Sequence, residues 1–222
     1  MNKKPNGDMD LKSSPIIVDG LYFALPLVGG AAFLSYIDVK WMSLIFCGLI
    51  LFVLWFFRNP ERSASGPEKE VVSPADGRVL KVEEVRIDEP VTGTFTKISI
   101  FMNVFNVHVN RIPVAGIIEK IQYHKGKFLS ANLDKASLQN ERNTILIRTG
   151  DGKAIVTIQI AGLVARRIVC WIEEGMKMER GERFGLIRFG SRLEIFLPTD
   201  SKIMVKAGDK VRAGETKIGY LS

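Results

Sequence analysis

Gly175-Met-Lys-Met-Glu-Arg-Gly-Glu182 returns 33 residues later as Gly208-Asp-Lys-Val-Arg-Ala-Gly-Glu215, both reading Gly-x-Lys-apolar-x-x-Gly-Glu. A second couple, Pro74-Ala-Asp-Gly-Arg-Val79 and Pro198-Thr-Asp-Ser-Lys-Ile203, joins a turn to a strand in the same manner. Glycine lets the backbone turn sharply, and an apolar residue beside it starts a strand. Working outward, short β-rich runs separated by turn formers occupy 77–85, 94–101, 144–148, 154–160, 184–189, 193–197 and 202–205. A mainly β domain is therefore expected from residue 71 onward. One helix is predicted over 132–141, where Leu133, Ala136 and Leu138 break the strand alternation, and a further element over 162–171.

The paired units resemble the hammerhead halves of biotinyl and lipoyl domains, which implies a β barrel-sandwich of that kind with few helices. The fold class expected is thus mainly β (α+β), a biotinyl/lipoyl-like β domain preceded by an N-terminal transmembrane helical hairpin.

That hairpin is read from two apolar runs of 17 residues, 21–37 and 41–57, separated only by Asp38, Val39 and Lys40. Each is at the lower limit for crossing about 30 Å of hydrocarbon. The apolar region starts late and a second run follows at once, which fits a retained anchor better than a cleaved signal peptide. Lys3, Lys4 and Lys12 precede the first run and Arg58 and Arg62 follow the second. The positive-inside rule then puts both ends, and the domain behind them, on the cytoplasmic face. The organisation expected is a tail over 1–20, an anchor over 21–57, a Pro/Ser/Gly-rich linker over 58–70 and a functional domain over 71–222.

With 222 residues, 46% of them hydrophobic, the chain can bury one core beside an anchor. Cys47 and Cys170 lie far apart in sequence, against a disulfide framework or a cysteine-based metal site, and no metal is expected. A formal charge of +7 suits an anionic partner. No basic stretch is interleaved with aromatics and no zinc-finger or helix-turn-helix pattern occurs, so the partner expected is a membrane and not nucleic acid.

Candidate catalytic groups are few. The only histidines are His108, in Phe101-Met-Asn-Val-Phe-Asn-Val-His-Val-Asn-Arg-Ile-Pro113, and His124, in a segment that reads as a turn. Gly190-Ser191 lies between two β-like stretches. A serine hydroxyl can attack the carbonyl that precedes it when a base takes its proton, exchanging amide for ester. Glycine before it leaves that carbonyl open. β-Elimination of the ester then frees the upstream chain, and loss of ammonia to water leaves a pyruvoyl group.

Six motifs in order are similar to short-form phosphatidylserine decarboxylases with Phe-Gly-Ser at the cut. They are Phe56-Phe-Arg-Asn-Pro-Glu-Arg62, Ser73-Pro-Ala-Asp-Gly-Arg78, Val107-His-Val-Asn-Arg111, Gly126-Lys-Phe-Leu129 with Glu141-Arg-Asn143, Ala161-Gly162 with Ala165-Arg-Arg167, and Arg188-Phe-Gly-Ser-Arg192. The resemblance implies a proenzyme cut between Gly190 and Ser191 into a beta chain, 1–190, and an alpha chain, 191–222. It implies a pyruvoyl cofactor made from Ser191, with His108 as base and Asp76 orienting it. The substrate implied is phosphatidylserine, converted to phosphatidylethanolamine and carbon dioxide. Arg111 stands where longer relatives have a second histidine, and self-association into a homo-oligomer is compatible with the sequence.

Three rivals remain at this point. One is a decarboxylase of a related serine-headed lipid such as archaetidylserine. Another is a membrane-anchored biotinyl or lipoyl carrier, suggested by Met176-Lys-Met178. The last is a β-rich membrane adaptor without catalysis.

Overall fold

The computed structural model describes residues 14–127, 139–162, 167–188 and 191–222, and the chain divides into two compact units, 1–61 and 62–222. In the first, α1 (Val18–Tyr36) and α2 (Lys40–Phe56) form an antiparallel pair. The turn between them is made at Asp38, whose φ is +62°. The base of the pair is closed by Ile17 N–H on the Phe57 carbonyl at 3.0 Å and Asn59 N–H on the Pro15 carbonyl at 2.7 Å. Phe57 stacks on Phe23 with ring centroids 5.6 Å apart, in the space that Gly20 leaves by lacking a Cβ. With 19 residues, α1 is long and apolar enough to cross a membrane by length and composition; α2 is a shorter apolar helix of 17.

The second unit is mainly β. Its largest sheet has eight strands: β2 (Gly77–Ile87), β3 (Gly93–Met102), β5 (Gly116–His124), β6 (Arg142–Arg148), β7 (Ala154–Ala161), β9 (Lys177–Met178), β11 (Ser191–Pro198) and β13 (Lys210–Val211). They lie in the order β13-β2-β3-β11-β7-β6-β5-β9, every pair antiparallel. Seven of these strands overlap runs expected from alternation, or turn-strand repeats in the case of the edge strands. β5 was not expected, because Glu119 and Lys120 interrupt its apolar pattern. His124, read as a turn residue, is the last residue of that strand and half-buried.

The sheet is quasi-symmetric about the β11–β7 pair. At one edge Gly208 N–H donates to the Val79 carbonyl at 2.8 Å and Val79 N–H to that of Asp209 at 2.9 Å. At the other Gly175 N–H donates to Ile118 at 2.7 Å and Ile118 N–H to Met176 at 2.9 Å. The octapeptide repeat thus caps both edges, with left-handed glycines at matching places: φ +84° and +83° at Gly175 and Gly181, +96° and +73° at Gly208 and Gly214. Only glycine holds that conformation without strain. The partner of Pro74–Val79 in this symmetry is the segment 113–118, Pro-Val-Ala-Gly-Ile-Ile, and not 198–203 as the sequence suggested. Ile203 pairs instead in a small sheet of β1 (Glu70–Val72), β14 (Lys217–Tyr220) and β12 (Lys202–Ile203). A further three-stranded sheet joins β4 (Val109–Arg111), β10 (Arg183–Ile187) and β8 (Ile168–Cys170). The core lies inside, built from Val79, Ile98, Ile100, Ile118, Ile145, Ile147, Ile155, Leu193, Ile195 and Leu197. The helix expected over 132–141 falls largely outside the described residues, and the described part of the element expected over 162–171 contains β8.

The segment read as a linker is strapped to the β domain from Arg62 on. The Arg180 guanidinium donates to the carbonyls of Ala64 (3.2 Å), Gly66 (2.8 Å), Glu70 (3.0 Å) and Pro67. A Cβ at Gly116 would sit 2.5 Å from the Arg148 carbonyl oxygen, whereas at Gly150 it would meet nothing. Gly116→Ala should therefore lower unfolding stability by about 2–3 kcal/mol and Gly150→Ala by well under half of that, read by urea denaturation.

Candidate active site

Along β11 the inward face carries Leu193, Ile195 and Leu197, then ends in Ser191. The same change of character occurs on the neighbours. β7 goes from Ile155 to Thr157 and Gln159, and β6 from Ile147 and Ile145 to Asn143, all of them buried. One end of the interior is polar, and it is the end at which Ser191 sits, fully buried.

Polar groups inside a core cost stability unless they pair. Here the amides pair with one another, whereas the Thr157 hydroxyl has no hydrogen-bond partner among the described residues. Asn143 Nδ2 donates to Gln159 Oε1 at 3.0 Å, and Gln159 Nε2 to Asn110 Oδ1 at 2.8 Å. Asn110 Nδ2 then points at Met102 Sδ at 3.8 Å, and the Ser191 hydroxyl donates to that sulfur at 3.4 Å. Ser191 lies opposite Met102 on β3 and Ala161 on β7. Gly185 lets β10 approach, since a Cβ there would stand 3.0 Å from Gln159 Nε2.

His108 precedes β4 and is 1% exposed. Its Nδ1 lies 3.0 Å from the Asn106 carbonyl, an acceptor, so the nitrogen carries its proton there. In the neutral ring Nε2 is then the acceptor nitrogen. The His108 carbonyl accepts from Ile187 N–H at 3.4 Å, tying this residue to the strand that leads toward Ser191.

Asp76 stands just ahead of β2, whose register sets Arg78 against Phe101, the neighbour of Met102. It therefore belongs to the same end of the sheet, about 10 Å of backbone from Ser191 at ~4.8 Å per strand. Its carboxylate is held by Arg62, with Nη1 at 2.5 Å from Oδ1 and Nη2 at 3.0 Å from Oδ2, and by Ala213 N–H at 2.8 Å. Arg62 Nη1 also donates to the Ala213 carbonyl at 2.9 Å. Burial works against the Arg62 charge, but the hydrogen bond and charge of Asp76, with Glu215 behind them, raise its pKa above the ordinary arginine value. Three segments far apart in sequence meet in this clamp. Of the residues singled out by sequence, Ser191, His108 and Asp76 are all brought to one end of the β unit. Arg62, Met102, Asn110, Gln159 and Asn143 were not anticipated as parts of it. Asn143 and Gln159 carried a signal, being polar at positions in phase with buried isoleucines; Arg62 carried none, because nothing local marks a linker arginine as buried.

A family model described as phosphatidylserine decarboxylase matches residues 49–219. Three relatives are each named phosphatidylserine decarboxylase proenzyme. The one from Syntrophus aciditrophicus is 58% identical over 184 residues, 83% of this chain and 86% of its own. That from Magnetococcus marinus is 48% identical over 222 residues, 95% of this chain and 97% of its own. The third, from Desulfotalea psychrophila, is 46% identical over 201 residues, 89% and 94% of the two chains. The chain belongs to the phosphatidylserine decarboxylase family.

Removing Arg62 leaves a buried carboxylate without its cation. Arg62→Ala should cost about 3–5 kcal/mol in denaturant unfolding, and the double variant with Asp76→Ala less than the sum of the two singles.

Proposed function

We propose that this chain is a membrane-tethered phosphatidylserine decarboxylase that cuts itself between Gly190 and Ser191 and converts Ser191 into a pyruvoyl group. The family and the names of its relatives support the reaction, carbon dioxide leaving phosphatidylserine to give phosphatidylethanolamine. The observation that carries the self-cleavage is Ser191, a fully buried serine hydroxyl at the polar end of an otherwise apolar interior.

His108 Nε2, the ring nitrogen that does not face the Asn106 carbonyl, takes the Ser191 proton. The Ser191 oxygen attacks the Gly190 carbonyl carbon, the amide C–N bond breaks, and an ester forms with the amine freed. A base then removes the Ser191 Cα proton and the Cβ–O bond breaks, giving a carboxylate on Gly190 and dehydroalanine at 191. Tautomerisation and water release ammonia and leave the ketone. Asn106, through its carbonyl, fixes the ring of His108 at Nδ1, and Asp76, whose carboxylate is held by Arg62 and Ala213 N–H, is the residue that the family likeness assigns to support the protonated imidazole. The surroundings fit such a group, since the residue that must supply it is present and faces a thioether in a dry interior. Once formed, the ketone supplies a sink for the electrons left behind by carbon dioxide. His108 then returns a proton to the substrate carbon, and the burial of Ser191 keeps bulk water from competing for that site.

The apolar pair α1 and α2 serves as the anchor, with the β domain on the cytoplasmic face as the Lys and Arg distribution indicates. This places the site where an anionic lipid substrate is concentrated, and the net charge of +7 favours it. The repeat-capped sheet is of the biotinyl/lipoyl barrel-sandwich kind, but a carrier role is disfavoured: Lys177 lies within β9, paired with Ile117. The names of the relatives likewise favour phosphatidylserine over archaetidylserine.

Intact-mass analysis of the purified full chain tests this. Two chains are expected, the smaller being residues 191–222 and lighter by one ammonia equivalent than a serine-headed peptide. Ser191→Ala should remain one uncut chain, and a cut elsewhere or a cut Ser191→Ala chain would refute the mechanism. His108→Ala should slow the appearance of the small chain by roughly 100-fold or more, the usual contribution of a general base.

A further inference from the structure

Among the described residues, Met102 is the side chain in hydrogen-bond contact with the Ser191 hydroxyl, and a thioether is an unusual partner for a reacting serine. It is a weak acceptor, so it orients the hydroxyl without holding its proton strongly. It is also an apolar surface. Both properties are relevant here, because the environment of residue 191 must suit an alcohol at one time and a methyl ketone at another. In the maturation set out above, the Ser191 Cβ loses its oxygen to Gly190 and becomes a methyl carbon. A carboxylate or amide facing that position would serve the alcohol and then stand unpaired against a methyl group, a costly arrangement in a dry interior.

Resting on the self-cleavage reading, we propose that Met102 is a two-state seat for residue 191: an acceptor that sets the hydroxyl before the cut and an apolar neighbour for the methyl afterwards. The sulfur is itself positioned. Met102 is fully buried, and Asn110 approaches its Sδ from the end of the Asn143–Gln159–Asn110 amide chain, each member of which is at most 2% exposed. Two hydrogen bonds link those amides in series, and the last of them directs its N–H at the sulfur. The residue is a positioning residue for maturation and a specificity device against water and polar groups in the mature site.

Two full-chain variants separate the two roles, each followed by intact mass for the rate of conversion at residue 191 and then by turnover per converted chain. Met102→Leu keeps the volume and the apolar surface but removes the acceptor. Its conversion should slow on the order of fivefold, the rate equivalent of one weak hydrogen bond, and turnover per converted chain should fall by a smaller factor than conversion does. Met102→Gln keeps an acceptor at similar length, so conversion should return to within about twofold of wild type. Turnover per converted chain should then fall on the order of tenfold, because an amide now faces the methyl group. Thermal melts accompany both, and Met102→Gln carries the test if Met102→Leu does not fold. Conversion of Met102→Leu at the wild-type rate, or equal losses of both rates in both variants, would overturn the proposal. A wild-type chain that stays whole, or is cut elsewhere, would instead overturn the reading on which it rests.

Discussion

Double-sided hydrogen bonding of β11 is the constraint on which the β unit depends. From Ser191 to Phe196 every residue faces a partner on β3 and another on β7. A strand so placed has no edge, and its register cannot slip without moving Leu193, Ile195 and Leu197 out of the core on one side and exposing their neighbours on the other. The position of Ser191 is therefore set by the whole sheet. So is that of Met102, because β3 is fixed against β11 on one side and β2 on the other.

Upon that frame the interior divides into two chemical regions. The apolar region provides stability, and the polar end holds a closed series of amides and a buried ion pair that satisfy one another. Buried pairs of this kind contribute little net stability compared with well-packed apolar side chains. Their value lies in fixing where a few atoms stand. The Arg62–Asp76–Ala213 clamp does so across three segments, and the Asn143–Gln159–Asn110 series does so for a single sulfur atom.

Much of this was legible in the sequence, for physical reasons that differ by element. β2, β3, β7 and β11 show alternation long enough to be recognised, and the glycines of the octapeptide repeat mark turns that no other residue makes easily. β5 was hidden because its outward positions carry Glu119 and Lys120 within a short apolar frame. Ser191, His108 and Asp76 were singled out by chemistry and by family likeness, and the family itself is shown by the match over 49–219. The partners of Asp76 were not, since Arg62 and Ala213 lie 14 positions before it and 137 positions after it in sequence, and only folding joins them. The Pro74–Val79 repeat was paired with the wrong copy: Pro198–Ile203 shares its residue types, whereas Pro113–Ile118 shares its place in the sheet.

The quasi-symmetry gives Ser191 a counterpart. In the other half, β6 runs into β7 through a tight hairpin in which Thr149 N–H meets the Lys153 carbonyl at 3.0 Å. The matching strands β3 and β11 instead part company at Met102 and Ser191, and the chain makes an excursion over residues 103–190 before returning. The cut proposed between Gly190 and Ser191 would come at the end of that excursion, at the first residue of β11. The severed piece would remain woven between two strands, as inseparable as a rung from the middle of a ladder. Each molecule could then be activated once and would have no route back, so the cell would set the amount of working catalyst by synthesis and degradation alone.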